Sequence, residues 1–305
     1  MRRLLPLLAC LTALVPLGLV AAGCGEDESF SVSAAEAAKA TRAEEAAKVT
    51  FKADVQGAGL PVPISLKGQG VSAISDAKMD LTFDFGSLLQ LAGAKVADGK
   101  ARVLLDGGDV WVDPPAVEGL DLPGGATWVT ADLTELLKSA GVDASGYGEL
   151  MRLTPDQQLA ALEAADGIKE VGKEEINGEQ TVHLKGTLKL DDYLEVLPPD
   201  RRAEAEKAIE ELKKLPGTDG SEFETPQNVD MWIGEDKLLR RMISSMKTPA
   251  QQGVPAMSMK ITMDMSDYGT KLDVTPPAAD ETYDATKDLS TALKQTARQQ
   301  GLPTN

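Results

Sequence analysis

The sequence predicts an α+β chain built on one strongly curved, largely antiparallel sheet, and three observations predict it. Runs of alternating apolar and polar residues recur from Val49 onward, most of them joined by hairpin-length turns. Helical stretches come in blocks between groups of strands instead of after every strand, which argues against βαβ units. No linker of convincing length interrupts the 305 residues, so the folded part reads as one domain. About ten strands are expected, enough to curl into an unclosed half-barrel with helices covering the concave face and a cavity between them.

Composition narrows the function before any motif does. Lys and Arg number 31 against 48 Asp and Glu, a net charge of −17, and no basic cluster stands out along the chain. Phosphate backbones need clustered cations, so no nucleic-acid partner is expected. Hydrophobic residues make up 42% but aromatics only 4%, which rests the core on Ala, Val, Leu and Met. That suffices for a folded domain and not for a chain made of membrane spans.

Residues 1–23 have the layout of a secretory leader. Arg2 and Arg3 precede the apolar run Leu4–Val20, and Val20-Ala21-Ala22-Gly23-Cys24 follows. The ending resembles the lipobox of bacterial lipoproteins, where small residues admit the peptidase and the cysteine receives diacylglycerol. On that reading Cys24 becomes the lipidated N-terminus and its covalent acyl chains are the membrane anchor, with no other cofactor expected. An ordinary leader cleaved near Ala22, or an uncleaved anchor, is the plainer alternative. Cys10 leaves with the leader, so the remaining chain can form no internal disulfide. Cleavage also removes two Arg and no acid. Anionic headgroups would repel so acidic a domain, which leaves the acyl chains to hold it.

Residues 24–32 read as a short lipidated tether and residues 33–283 as the domain. Ser33-Ala34-Ala35-Glu36 is a capping box opening a helix to about Lys48. Three alternating runs follow: Val49, Phe51, Ala53, Val55; then Leu60, Val62, Ile64, Leu66; then Met79, Leu81, Phe83, Phe85. Pro61 and Pro63 put the second run at an edge or a poorly paired start. Ala101–Asp106 and Asp109–Asp113 flank the turn Gly107-Gly108, and Trp128 sits in a short strand. Helical spacing then covers Leu133, Leu136, Leu137 and Ala140, and Thr154-Pro155-Asp156-Gln157 opens another helix ending near Gly167.

The second half repeats the idea. Glu170–Ile176 and Glu179–Leu188 surround Asn177-Gly178, two residues that tolerate positive φ in a tight hairpin. Asp191–Leu197 and Pro199–Leu215 look helical. Val229, Met231 and Ile233 alternate, Glu235-Asp236 turns, and Leu238–Lys247 returns. The tail, residues 284–305, is compatible with a terminal helix over Thr286–Gln300 or with a loose end.

The stretch with most to say is Ala256–Ser266. Met257, Met259, Ile261, Met263 and Met265 share one face of a strand, and Ser258, Lys260, Thr262, Asp264 and Ser266 share the other. Branched aliphatics fill most buried faces; methionine is unbranched and polarizable and reshapes around irregular apolar objects. Such a face is compatible with ordinary core under a helix and with the lining of a cavity for a hydrophobic ligand. The expected lining residues are Val229, Met231, Ile233, Met257, Met259, Ile261, Met263 and Met265.

Three stretches resemble the LppX/LprAFG-type lipoproteins of actinobacteria, themselves similar in fold to the LolA/LolB lipoprotein carriers. They are Val171-Gly172-Lys173-Glu174-Glu175-Ile176-Asn177-Gly178 running into Thr181-Val182-His183; Val229-Asp230-Met231-Trp232-Ile233-Gly234 with Leu238–Met242 returning; and Ser266-Asp267-Tyr268-Gly269 with Val274-Thr275-Pro276-Pro277-Ala278. Gly107–Val112 and Ala126–Val129 fit an earlier part of the pattern. The resemblance spans residues 48–280 and the lipobox, and its order and spacing carry it more than any one motif. It implies an unclosed antiparallel barrel that binds lipid or glycolipid at the outer face of the cytoplasmic membrane, with no enzymatic residues to carry over. His183 stands where the pattern has an aromatic, and the chain runs on past the proline pair. A regulatory or structural module that engages a membrane-protein partner, as RseB-like relatives of the fold do, is the alternative.

No constellation for catalysis emerges. His183, the single histidine, reads as a solvated or hydrogen-bonded strand residue. Ser75…Lys78 and Ser244…Lys247 have acyl-enzyme spacing but sit at a turn and in a strand, where i and i+3 do not share a face. No phosphate-cradling loop, metal-ligand cluster or Gly-x-Ser-x-Gly occurs. Asp191-Asp192 reads as helix capping, not metal binding. Arg240 and Arg241 read as solvated hairpin-end residues, with a lipid headgroup as the sharper alternative.

Overall fold

A computed structural model describes residues 30–57, 62–91, 93–107, 109–118, 121–132, 135–136, 160–162, 165, 167–213, 226–248 and 256–299. The leader, Cys24 and most of the two helices expected between Leu133 and Gly167 lie outside the described residues, although 135–136 and 160–162 are helical.

Helix α1 (Ala34–Arg42) opens on the expected capping box. Ser33 Oγ accepts from the Glu36 amide at 3.2 Å, and the Glu36 carboxylate accepts from the Ser33 amide at 3.1 Å. The helix stops at Arg42, short of Lys48, because Ala46 and Ala47 already belong to the first strand. There they stand opposite Ala73 and Ser72, and Ala47 is completely buried. Burial in the sheet overrides the helical preference of alanine.

The strands are β1 (Ala46–Gly57), β2 (Ile64–Ala73), β3 (Lys78–Asp84), β4 (Val96–Asp98), β5 (Lys100–Asp106), β6 (Asp109–Asp113), β7 (Ala116–Val117), β8 (Trp128–Thr130), β9 (Lys169–Ile176), β10 (Glu179–Leu188), β11 (Gln227–Gly234), β12 (Leu239–Thr248), β13 (Met257–Ser266) and β14 (Thr282–Asp284). Twelve of them form one curved sheet, in the order β14-β8-β6-β5-β3-β2-β1-β13-β12-β11-β10-β9, and β4 pairs with β7 beside it. The sheet does not close, since β14 and β9 have no common ladder. The strands exceed the ten expected because β14 in this sheet, and β4 and β7 beside it, are two or three residues long, too short to show a period. Two meanders lie side by side in it, one from each half of the chain. Strand β1 joins them by pairing antiparallel with β13 over ten residues, from Lys48 opposite Ser266 to Gly57 opposite Met257. The exception to the antiparallel rule is β14, which runs parallel to β8.

Two boundaries depart from the alternation. Strand β2 begins at Ile64, after the prolines, and leaves Val62 about half exposed at 49%. It then continues through Gly68 and Gly70, where apolar period is lost but pairing is not. Gly68 is needed there: a Cβ would sit 2.6 Å from the Phe83 ring, which packs edge-on against Phe51.

Helix α2 (Gly86–Leu91) is short and has no counterpart among the expected helices. The remaining helices follow expectation more closely. Helix α3 (Leu190–Glu195) has Asp192 accepting from the Lys189 amide at 2.6 Å, which gives the acidic pair its capping role. Helix α4 (Pro199–Lys213) packs Ala205 and Ile209 against Leu194 and Leu197. Helix α5 (Thr286–Gln299) decides the tail in favour of a helix, with Thr286 and Ser290 buried and Thr286 Oγ1 accepting from the Asp132 amide at 2.8 Å.

Candidate functional site

Cross-strand register assembles one apolar face from residues far apart in sequence. A single rung runs Leu184–Met231–Met242–Met263–Phe51–Gly68–Phe83–Ala101, each residue opposite the next, across eight strands from β10 to β5. The next rung toward the β13 N-terminus runs Val229–Ser244–Ile261–Ala53–Leu66. All eight residues expected to line a site therefore share one face of β11 and β13, with β12 between them.

Burial divides these eight into two groups. Val229, Met231, Ile233 and Met265 are 0–2% exposed, closed core without an accessible surface. Met257, Met259, Ile261 and Met263 are half-buried, as are Phe51, Ala53 and Val55 on β1, Ile64 and Leu66 on β2, and Met242 and Met246 on β12. The first rung is thus shut at its ends, at Leu184, Met231 and Ala101, and accessible in the middle, at Met242, Met263, Phe51 and Phe83. The neighbouring rung through Met265, Val49 and Leu81 is closed. What remains is an apolar strip from Met263 to Met257, about 20 Å long at the rise of a strand. Small side chains, Ala53 and Ser244, flank Ile261 and lower its floor.

Helix α1 closes the other end of this face. Thr41, fully buried, accepts the Leu239 amide through Oγ1 at 3.2 Å, and Ala37 and Ala38 are also fully buried. Tyr268 donates to the Leu239 carbonyl at 2.5 Å, and burial pushes its phenol well above the ordinary range. Its neighbours Asp267 (φ 47°) and Gly269 (φ 77°) take left-handed conformations, and the Gly269 amide donates to Ala46 O. The Ser266–Gly269 motif is in this sense a clamp between β13, β12 and β1.

Strand β12 carries a bulge that sets the phase of the site. Trp232 stands opposite Arg241 but Ile233 stands opposite Leu239, so Arg240 is the additional residue. Without it Arg240 would face Ile233 across the apolar side. Instead both arginines join the polar face. Arg240 pairs with Glu179 at 2.7 Å and Asp236 at 2.6 Å, and Arg241 makes a bidentate pair with Asp264. The expectation of solvated arginines is corrected here, since the Arg240 side chain is only 17% exposed and carboxylates engage both.

The polar face also holds His183, stacked on Trp232 at 4.3 Å between ring centroids. Its Nδ1 lies 2.9 Å from Glu174 and its Nε2 2.8 Å from Asp230. The Trp232 indole donates to Glu174 at 3.0 Å and, with His183, holds that carboxyl below its ordinary range. Lys185 completes the group by pairing with Asp230 at 3.1 Å. Both imidazole nitrogens are occupied by a β9–β10–β11 brace, which agrees with the hydrogen-bonded strand role and leaves neither nitrogen for a nucleophile. Ser244 and Lys247 lie on opposite faces of β12, so their acyl-enzyme spacing has no geometric counterpart.

No family model matches the sequence. The chain is 30% identical over 166 residues to an uncharacterized 31.2 kDa protein from the rplA-rplJ intergenic region of Streptomyces griseus, covering 53% of this chain and 49% of that one. It is 26% identical over 159 residues to a Streptomyces coelicolor protein named "Putative lipoprotein SCO4650", covering 52% and 42%. It thus spans about half the length of the curated relatives it matches. Among solved structures it is similar to LprF from Mycobacterium bovis, with 13% identity, 81% of this chain and 95% of that one covered, and a TM-score of 0.42.

Sequence reasoning missed the parts of the strip supplied by β1, β2 and the returning β12. Phe51, Val55, Met242 and Met246 each show strand alternation, but nothing local says that β1 pairs with β13. It also did not see that the polar sides of these strands gather cations at one end.

Proposed function

We propose that this chain is a cell-envelope lipoprotein, anchored at the outer face of the cytoplasmic membrane through acyl chains on Cys24. It takes up the aliphatic part of a lipid, glycolipid or other apolar molecule, as a carrier or chaperone for envelope lipids. The observation that carries the reading is the half-buried strip Met257–Met263 with Met242, Met246, Phe51 and Val55 beside it, on the same face as the closed core at Val229, Met231, Ile233 and Met265. A folded domain normally buries its central strands, so accessible methionines in mid-sheet leave apolar surface for something else to cover.

The mechanism is passive. Each methylene moved from water onto the strip gains about 0.8 kcal/mol. Methionine side chains have three rotatable bonds, so they follow chains of different length and branching with little strain. No residue is given a catalytic role. The anchor rests on the leader and Cys24, and the name of the Streptomyces coelicolor relative is in keeping with it.

The test is native mass spectrometry of the mature chain carrying Cys24→Ser, purified without detergent, followed by organic extraction and lipid analysis. Stoichiometric lipid that disappears in Met259→Asp/Met263→Asp, while Cys24 acylation of the full chain persists, is the expected outcome. A clean protein mass with no uptake of added lipid would reject the reading in favour of a module that binds a membrane-protein partner.

A further inference from the structure

On the polar side of the four central strands, cations near the α1 end are neutralised. Arg241 has Asp264, Arg240 has Glu179 and Asp236, and Lys48 has Asp267 at 2.7 Å. The opposite end differs. A depression of about 500 Å³ spans β2, β1, β13 and β12 there, with Lys52, Lys247 and Lys260 on its walls and Asp54 as its one carboxylate. The ladders bring these groups together. Lys260 stands opposite Asp54 on one side and Ser245 on the other, and Lys247 is opposite Ser258, the next position along the same face. Lys52 pairs with Asp54 at 2.7 Å, and that contact first of all holds the Asp54 carboxyl below its ordinary range. Neither Lys247 nor Lys260 forms an ion pair among the described residues, and both are exposed.

A chain of net charge −17 has many carboxylates with which to neutralise a lysine. Three ammonium groups around a single carboxylate therefore form a local positive island on an acidic molecule. Diagonal neighbours on one face of a sheet lie about 7–8 Å apart, near enough to repel and near enough for one polyatomic anion to bridge. Neutral donors are at hand as well. Ser65 stands opposite Asp54 in the β1–β2 ladder, close enough to help lower the carboxyl, yet its Oγ is buried without a hydrogen-bond partner of proper geometry. A buried hydroxyl lacking a partner carries a desolvation cost that a ligand oxygen would relieve.

We propose that this depression binds a phosphate-type oxyanion, free or as the headgroup of an amphiphile. Lys247 and Lys260 are its principal ligands, Lys52 shares its charge between Asp54 and the anion, and Ser65 donates from the floor. Lysine suits the task as a compact point charge with three donors, able to turn toward an oxyanion without the fixed planar fork of arginine. Its lysines alternate with the strip methionines along β12 and β13 and so project from the opposite face of the sheet, although Met246 and Met259 also border the depression; anion binding and lipid uptake are tested separately.

The experiment titrates the full chain, in non-ionic detergent at low salt, with inorganic phosphate and separately with a short-chain phosphatidylglycerol, followed by calorimetry. Saturable binding that weakens with added sodium chloride is expected. Lys247→Gln/Lys260→Gln should lower the affinity at least about tenfold, and Ser65→Ala should lower it by a smaller factor. The two lysines are exposed, so the double variant should keep the wild-type thermal midpoint and its loss of binding cannot be traced to unfolding. Equal affinity for both probes assigns the site to the free anion. Tighter binding of the lipid, lost on the same double substitution, assigns it to a headgroup. No saturable binding of either probe, or binding indifferent to the double substitution, overturns the proposal.

Discussion

Met231 and Met259 lie on the same face of the sheet, two strands apart, and truncating each to alanine should have opposite consequences. Met231 is 1% exposed, with the 2% exposed Leu184 opposite it on one side and Met242 on the other. Its truncation leaves a cavity in closed core and should cost about 2–5 kcal/mol. At roughly 2–4 °C per kcal/mol for a domain of this size, the midpoint should fall by about 4–20 °C. Met259 is half-buried between Val55 and Met246 and already meets solvent, so its truncation empties less enclosed space. It should cost less than about 1 kcal/mol, the usual range outside well-packed cores. The lipid content of the purified protein should respond the other way, reduced for Met259→Ala and unchanged, per folded molecule, for Met231→Ala. Denaturant unfolding gives the first quantity and quantitative extraction the second. If Met259→Ala is as destabilising as Met231→Ala, the strip is ordinary core and the argument for an accessible apolar surface fails.

Two further predictions concern the frame around the strip. Thr41→Val removes the buried hydroxyl that accepts the Leu239 amide, strands that amide without a partner, and should cost about 1–3 kcal/mol in chemical denaturation; an isostere with unchanged stability would show that the contact does not hold α1 to β12. The capping carboxyl of Glu36 is drawn down to about 2, first by its hydrogen bond to Lys237 and then by Ser33. A depressed carboxyl pKa adds stability that is complete above the unfolded value near 4.5 and is lost as pH falls through the folded one. The stability gap between wild type and Glu36→Gln should therefore be full at pH 6, shrink below about pH 4.5 and vanish toward pH 2. A gap independent of pH over that range would remove Glu36 ionisation from the account of the cap.

Local chemistry made much of the architecture legible. Asn177 and Gly178 adopt φ of 53° and 87°, as a tight hairpin between two alternating runs requires, and β9 and β10 pair around them as expected. The capping box places the start of α1 to the residue, and the period of Met257–Met265 assigns its face correctly. Long-range pairing was not legible. Nothing near Phe51 or Met263 says that they meet, because β1 and β13 are separated by nearly the whole domain in sequence and their ladder is chosen by the global fold. The bulge at Arg240 was hidden for another reason. Two adjacent arginines cannot both face outward in a regular strand, and only the pairing with β11 shows where the additional residue that allows it lies. Periodicity likewise placed Met231 and Met259 on one face without distinguishing closed core from open strip, since that depends on what lies above each residue.

Among the described residues the twelve-stranded sheet ends in two strands that are paired on one side only, β14 and β9, and an unpaired edge is a template for another extended chain. At one end, five of the eight residues of β9 are charged: Lys169, Glu170, Lys173, Glu174 and Glu175. A second copy adding there would have to strip water from these charged side chains. At the other end, β14 offers only three residues and runs directly into the turn before α5. Resistance to edge-to-edge polymerisation, which a closed barrel obtains from topology, is supplied here by charge at one margin and brevity at the other.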